Sequence, residues 1–310
     1  MRNTFAEVLY ELGCEDERVC IVVADISPAG PMLKFREQFP QRFINVGVAE
    51  QAMIGICAGL ALRGMRPFAY TIATFTLYRP FEMVRDDLGY QHLPVTLVGI
   101  GGGVIYSTLG ATHYAQEDIA IAGSIPGMTI LSPTDPEESR QITRWVVRRE
   151  GGGPVYLRFG KAGEPMLTKD AAEPFVFGKL RRLTIGQDVA VLSYGVLMNM
   201  AQKVAQGVRD KGHSVSLVAF PTVKPLDVAG ITDVLQRHKH VIVMEEHVPQ
   251  GGLAAQVKQI AWDIGAPCSL QVHTLKDEFV HCYGSHEDIL AAHGLSVQSV
   301  LGNLPVKFGR

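Results

Sequence analysis

The sequence predicts an α/β protein of two doubly wound domains, each a mainly parallel sheet flanked by helices. Three observations carry that expectation. β-branched runs of strand length alternate with apolar-periodic helical stretches. The alternation occurs twice, with an irregular segment between the two series. At 310 residues the chain is about twice a typical domain.

The elements follow in order. Thr4 can cap a first helix that aligns Phe5, Val8, Leu9 and Leu12, and Val19 to Ala24 is a strand with Asp25 at its carboxyl end. Pro31 starts a short helix with Met32, Leu33 and Phe35. Arg42 to Val46 is a strand, Gly47 permits a sharp bend, and Glu50 opens a helix that continues through Leu60. That helix is apolar nearly all round, which predicts burial. Arg66-Pro67 breaks it, Phe68 to Ile72 is a strand, and Phe75 and Thr76 lie in the turn before a helix from about Leu77 to Leu88. Pro94 to Val98 is a strand, and Gly99-Ile100-Gly101-Gly102-Gly103 opens a long loop to His113. A helix beginning at Glu117 and Asp118, a strand from Met128 to Leu131, a helix from Pro136 to Arg149 and a strand from Val155 to Arg158 complete a first domain over residues 1–170. Residues 171–186, with Pro174 and scattered charges, read as a linker. Val189 to Ser193 starts the second domain, 187–310, which continues with a helix over Met198 to Arg209 and a strand from Val215 to Val218. Val223-Lys224-Pro225-Leu226-Asp227 leads into a helix, Val241 to Met244 is a strand, Gly251-Gly252 opens a helix, and Ser269 to His273 is the last strand.

Composition excludes several function classes. A net charge of −2 argues against nucleic acid or an anionic membrane as the main partner. No run approaches the roughly 18 apolar residues of a membrane span, and Met1 to Glu7 enters an amphipathic helix with no signal-peptide pattern. Cys14, Cys20, Cys57, Cys268 and Cys282 form no Cys-x-x-Cys pair, so reduced thiols and a cytoplasmic location are expected. The 47% hydrophobic and 19% charged fractions describe a large core and a rather apolar surface, of the kind that accompanies subunit contacts.

In a parallel sheet, ligands gather beyond the carboxyl ends of the strands. Asp25, Gly47 to Glu50, Phe75, the loop to His113, and Arg158 all fall at that edge. Glu50 has two readings there: an acid favoured by a helix N-terminus, worth up to ~1 kcal/mol, or a carboxyl held in an apolar cavity against a cofactor ring. The glycines after Val98 fail the dinucleotide fingerprint, because Val104 stands where its third glycine belongs and no helix follows at once. No phosphate-cradling Gly-x-x-x-x-Gly-Lys-Ser/Thr loop and no Gly-x-Ser-x-Gly elbow occur. His281, His286 and His293 lack the one-turn spacing of a helical metal pair and read as structural, so no metal ligand is assigned.

Taken together, Val46-Gly47-Val48-Ala49-Glu50-Gln51, Ala73-Thr74-Phe75 with Arg79-Pro80-Phe81-Glu82, Leu93-Pro94-Val95, and Gly110-Ala111-Thr112-His113 with Glu117-Asp118 resemble the pyrimidine-binding domain of transketolases. Ala24-Asp25-Ile26, Gly153-Pro154-Val155-Tyr156-Leu157-Arg158 and Val223-Lys224-Pro225-Leu226-Asp227 match the same family in order, so the likeness spans nearly the whole chain. The Gly-Asp-Gly motif that holds magnesium and the diphosphate in such enzymes does not occur in this sequence. The resemblance therefore implies the carboxyl-terminal subunit of a split, thiamine diphosphate-dependent transketolase. A separate amino-terminal subunit would carry Gly-Asp-Gly and the magnesium ligands, in an assembly of two copies of each.

The same resemblance implies residue roles. Glu50 would hydrogen-bond the pyrimidine nitrogen and favour the imino tautomer, a task suited to a carboxyl whose proton affinity rises on desolvation. Phe75 would stack on the pyrimidine, with Asp25 and Arg79 also near the cofactor. His113 would hydrogen-bond substrate oxygens and move protons, and Arg158 would bind a substrate phosphate with its planar fork. Leu109 replaces the aspartate of the family's Asp-Gly-Pro-Thr-His, and Gly101 stands where another substrate-facing histidine is expected. The implied reaction is two-carbon ketol transfer from a ketose, expected to be phosphorylated, to an aldehyde. The alternatives are a relative that decarboxylates a 2-oxo acid, such as 1-deoxyxylulose 5-phosphate synthase or the beta chain of a 2-oxo acid dehydrogenase, and a noncatalytic regulatory partner.

Overall fold

The structure is a computed structural model in which residues 1–26 and 30–304 are described. β-branched and aliphatic runs build a first sheet of seven strands. These are β1 (Val19–Val23), β2 (Phe43–Asn45), β3 (Arg66–Ile72), β4 (Thr96–Ile100), β5 (Thr129–Leu131), β6 (Val155–Phe159) and, from much later in the chain, β10 (Thr222–Lys224). Their order across the sheet is β10-β5-β6-β4-β3-β1-β2. All pairs are parallel except β10 with β5. β1, β4 and β6 are buried at every position, as strands covered on both faces must be. One cover consists of α1 (Arg2–Glu15), α2 (Gly30–Gln38) and α7 (Pro136–Arg148), packed on Val19, Ile21, Phe68 and Val98. The other includes α3 (Glu50–Leu62), α4 (Ala73–Leu77), α5 (Phe81–Met83) and α6 (Asp118–Gly123), packed on Val22, Ala69 and Leu97.

The second sheet has five strands: β7 (Arg181–Thr184), β8 (Val189–Ser193), β9 (Val215–Ala219), β11 (His240–Met244) and β12 (Ser269–His273). They run in the order β12-β11-β8-β9-β7, parallel except for β7 against β9. The helices of this half are α8 (Met198–Arg209), α9 (Val228–Arg237), α10 (Leu253–Asp263), α11 (His286–Ala292) and α12 (Val297–Gly302). The hydrophobic cluster beneath α3 continues without a break to Ile231 and Val234 of α9 and Leu253 of α10, so the two sheets share one core. Among the described residues, no helix is long and apolar enough to cross a membrane.

Five local expectations are revised. The first helix begins at Arg2, which leaves Thr4 inside it. Phe75 lies within α4, and the predicted helix from Leu77 to Leu88 is interrupted and ends in a wide π-helical stretch, Val84–Tyr90. The linker range 171–186 contains β7, an edge strand of the second sheet. Val223-Lys224 is not merely a lead-in to a helix, because it supplies β10 to the first sheet. Helix α3 is buried on one side only: Ile56 and Leu62 are exposed, beside Gly55 and Gly59.

Candidate active site

The candidate site assembles at the carboxyl edge of the first sheet, where ligands of parallel sheets gather. After β2 the chain turns through Gly47, at a φ of +72° that favours glycine. Asn45 organises this turn, its Oδ1 accepting from the backbone N–H of Gly47 at 3.0 Å and of Asp25 at 3.2 Å. Asp25 is exposed at the end of β1 and adopts a φ of +48°. It is thus tied through Asn45 to the segment that leads into Glu50.

Glu50 opens α3 and is only 2% exposed. Its two carboxylate oxygens share Nη1 of Arg79, at 2.8 and 2.9 Å. The same guanidinium lies over the Phe75 ring, 4.2 Å from ring centre to Cζ. His113 also neighbours Phe75, edge-on with ring centroids 5.3 Å apart. Four of the expected site residues, from α3, from α4 and the turn after it, and from the loop after β4, therefore form one contiguous group. Tyr106, a residue sequence reasoning missed, extends it: its ring centre is 6.3 Å from that of His113.

His113 closes a short 3₁₀ turn, Ala111–His113. Its Nδ1 is 2.9 Å from the Thr112 hydroxyl. With that hydroxyl donating, the neutral ring carries its proton on Nε2, where it can donate to an oxygen; the tautomer is assigned from this bond. Burial lowers the pKa of His113 below its ordinary value, and the Arg79 charge lowers it further. The ring is therefore neutral at pH 7.

Gly101 takes a φ of +76°, and a Cβ there would lie 2.2 Å from the Tyr106 ring. The space in which a family histidine was expected is thus filled by Tyr106. Leu109 is 48% exposed and, with Thr112 and residues 280–283, lines a cavity of about 240 Å³ beside the His113 turn.

Arg158 does not present the phosphate-binding fork anticipated for it. It is 4% exposed; its Nε donates to Oδ2 of Asp118 at 2.7 Å and its Nη2 to the Glu246 carbonyl at 3.1 Å. Tyr156 donates to the same Asp118 oxygen at 2.8 Å. The Nε bond to Asp118 stays within the first domain, while the Nη2 bond to the Glu246 carbonyl ties that domain to the second, so the fork is turned inward. Among the described residues, no group of three or more His, Cys, Asp or Glu side chains is placed to hold a metal ion.

Comparison with known proteins agrees with this fold. The family model "Transketolase, pyrimidine binding domain" matches residues 1–163, and "Transketolase, C-terminal domain" matches residues 178–300. The chain is 32% identical to one of the subunits of apulose-4-phosphate transketolase from Phocaeicola vulgatus, over 96% of this chain and 94% of that protein. It is 31% identical to 1-deoxy-D-xylulose-5-phosphate synthase of Symbiobacterium thermophilum over 96% of this chain but 45% of that enzyme. A solved structure described as a split gene transketolase, inactive beta4 tetramer, superposes with a TM-score of 0.86 at 30% identity, covering 97% of this chain and 95% of that one. With Glu50 at the head of a sheet-edge helix and both matched domains in their order, this chain belongs to the transketolase family, of which it carries the pyrimidine-binding and C-terminal domains.

Proposed function

We propose that this chain is one subunit of a thiamine diphosphate-dependent transketolase, which moves a two-carbon ketol unit from a ketose to an aldehyde. A separate subunit supplies the diphosphate-binding half of the site and its magnesium, in a cytoplasmic assembly of two copies of each. The observation that carries the reading is the placement of Arg79. Its guanidinium is a planar N–H donor that lies on the Phe75 face while donating to Glu50. An aminopyrimidine that carries a proton on its ring nitrogen satisfies the same two constraints, so the residues fit that ring, with the half-exposed Arg79 standing in its place.

When bound, the cofactor supplies the electron sink for carbon–carbon bond cleavage. The chain's own residues do the rest. Glu50 offers a water-shielded carboxyl group to the pyrimidine nitrogen, with one proton passing between the two. Phe75 fixes the plane of the ring. His113, neutral at pH 7, donates a hydrogen bond from Nε2 to a substrate oxygen and so stabilises negative charge that develops there. Asp25, on the adjacent strand end, faces the boundary with the second subunit.

The near-complete mutual coverage with a single transketolase subunit supports the split arrangement, whereas the synthase relative is matched over less than half its length. The test is to copurify this chain with a Gly-Asp-Gly-bearing subunit, add thiamine diphosphate and magnesium, and assay two-carbon exchange among sugar phosphates. Exchange is the expected result. Turnover of pyruvate without ketol transfer would replace the reading with the decarboxylating alternative.

A further inference from the structure

The loop carrying His113 is a hairpin, and its root is held by the second domain. Gly103 and Ala115 exchange both backbone hydrogen bonds, at 3.0 and 2.7 Å. One residue further along each arm, a group from the second domain takes over. Val104 N–H donates to Oε1 of Glu246 at 2.6 Å, and the Gln116 carbonyl accepts from Val248 N–H at 3.0 Å. Both holding residues lie in the segment that follows β11 (His240–Met244). We propose that Glu246 is a positioning residue for His113: it clamps the hairpin root through Val104 and is itself anchored by His286.

This rests on the reading of His113 as the residue that meets the substrate. Glu246 is 1% exposed, and Oε1 accepts from His286 Nε2 at 2.8 Å as well as from Val104. A buried N–H with no acceptor is costly, so the hairpin root has one favourable position against this oxygen. The fit is close: a Cβ on Gly103, where φ is +75°, would stand 2.4 Å from the Glu246 carboxyl. A Cβ on Gly102 would meet the Arg158 guanidinium at 2.5 Å. The run of glycines after β4 (Thr96–Ile100) thus lets the loop pass over a domain-bridging set of charges.

The charged groups around the clamp are Arg158 from β6, with Asp118 behind it, and His286 from α11. Glu287 and Lys203 pair beside His286 at 3.8 Å, and His293 reaches Gln116 at 3.2 Å. Burial works against the charge on His286, but the Glu246 carboxylate outweighs it and raises the histidine's pKa. Burial likewise works against ionisation of Glu246, and His286 with Arg158 outweighs it and lowers that pKa. The ion pair is therefore complete between the two folded values and weakens as pH rises through the pKa of His286.

The test uses Glu246→Ala, which removes the acceptor of Val104 N–H, and His286→Asn, each in the full chain assembled with its diphosphate-binding subunit, alongside amide exchange across residues 103–116. The expected result for each variant is a fall in kcat of about tenfold or more with little change in the KM for thiamine diphosphate, since Glu50 and Phe75 are untouched. Exchange across the hairpin should quicken about tenfold. In the wild type, hairpin protection should decline as pH rises through the His286 titration, and His286→Asn should abolish that dependence. Wild-type kcat per folded enzyme together with wild-type hairpin exchange would overturn the proposal, whatever happens to melting temperature. A His113→Ala control separates the two readings: full activity there would sink the role of His113, while hairpin exchange in Glu246→Ala still decides the clamp.

Discussion

Replacing Glu50 by Gln separates catalysis from stability more cleanly than any other change at the site. The carboxylate makes one ion pair, with the Nη1 of Arg79, and that arginine is 44% exposed. Half-exposed pairs contribute about 0–1 kcal/mol, because the freed guanidinium returns to water. Gln keeps the volume and an acceptor oxygen, so α3 and its packing should persist, with a melting temperature within about 2–4 °C of wild type. The chemistry should respond differently. Gln cannot exchange a proton with a ring nitrogen, and loss of a positioned acid–base group costs about 10²–10⁴-fold, equivalent to ~2.7–5.4 kcal/mol of barrier. The assay is two-carbon exchange by the assembled enzyme at saturating cofactor, alongside thermal unfolding of the same preparation. Activity within about threefold of wild type, a difference of ~0.65 kcal/mol, would refute the role of Glu50. So would an activity loss that merely followed the fraction unfolded.

Other outcomes follow from the same geometry. Phe75→Ala removes the face on which Arg79 rests; it should raise the apparent KM for thiamine diphosphate about tenfold, ~1.4 kcal/mol, with a smaller effect on kcat. His113 should titrate below 6.5 in an NMR experiment, and Arg79→Ala should move its midpoint upward by removing a neighbouring positive charge. Because the folded value is depressed, His113 contributes stability above pH 6.5 that is lost as pH falls through its folded pKa. Asp135, fully buried, caps α7 through Glu138 N–H at 2.9 Å and also accepts from Leu167 N–H, Thr168 N–H and the Thr168 hydroxyl at 2.7, 2.6 and 3.0 Å. Asp135→Ala should therefore cost about 3–5 kcal/mol in urea unfolding, the sum of a lost cap and orphaned donors.

Much of the site could be read from the chain because a parallel sheet places its functional residues at strand ends, and strand ends are local signals. Glu50 after β2 (Phe43–Asn45), Phe75 after β3 (Arg66–Ile72) and His113 after β4 are each found that way. What could not be read are the partners chosen across the fold. Arg158 has the chemistry of a phosphate ligand, but whether its fork faces outward depends on Asp118, 40 residues away. The glycines at 101–103 mark a long loop in the sequence, but do not reveal that Tyr106, Arg158 and Glu246 fill the space where their side chains would be. Glu246 and Val104 stand 142 residues apart, and no periodicity links them. The half-exposed face of α3 escaped for another reason: Gly55, Ile56, Gly59 and Leu62 are as apolar as the buried face, so hydropathy does not distinguish the two.

Strand β10 gives the chain a property that its two-domain description conceals. Thr222–Lys224 lies beyond the first strands of the second series yet completes the first sheet, and Lys224 Nζ is fixed to the carbonyls of Gly123 and Ile125, both at 2.7 Å. Neither half is a portable cassette. A gene cut after Phe159 would encode a sheet with β5 as a raw margin, its unpaired amides open to any strand nearby; the remaining fragment would carry a stray strand with nothing to join.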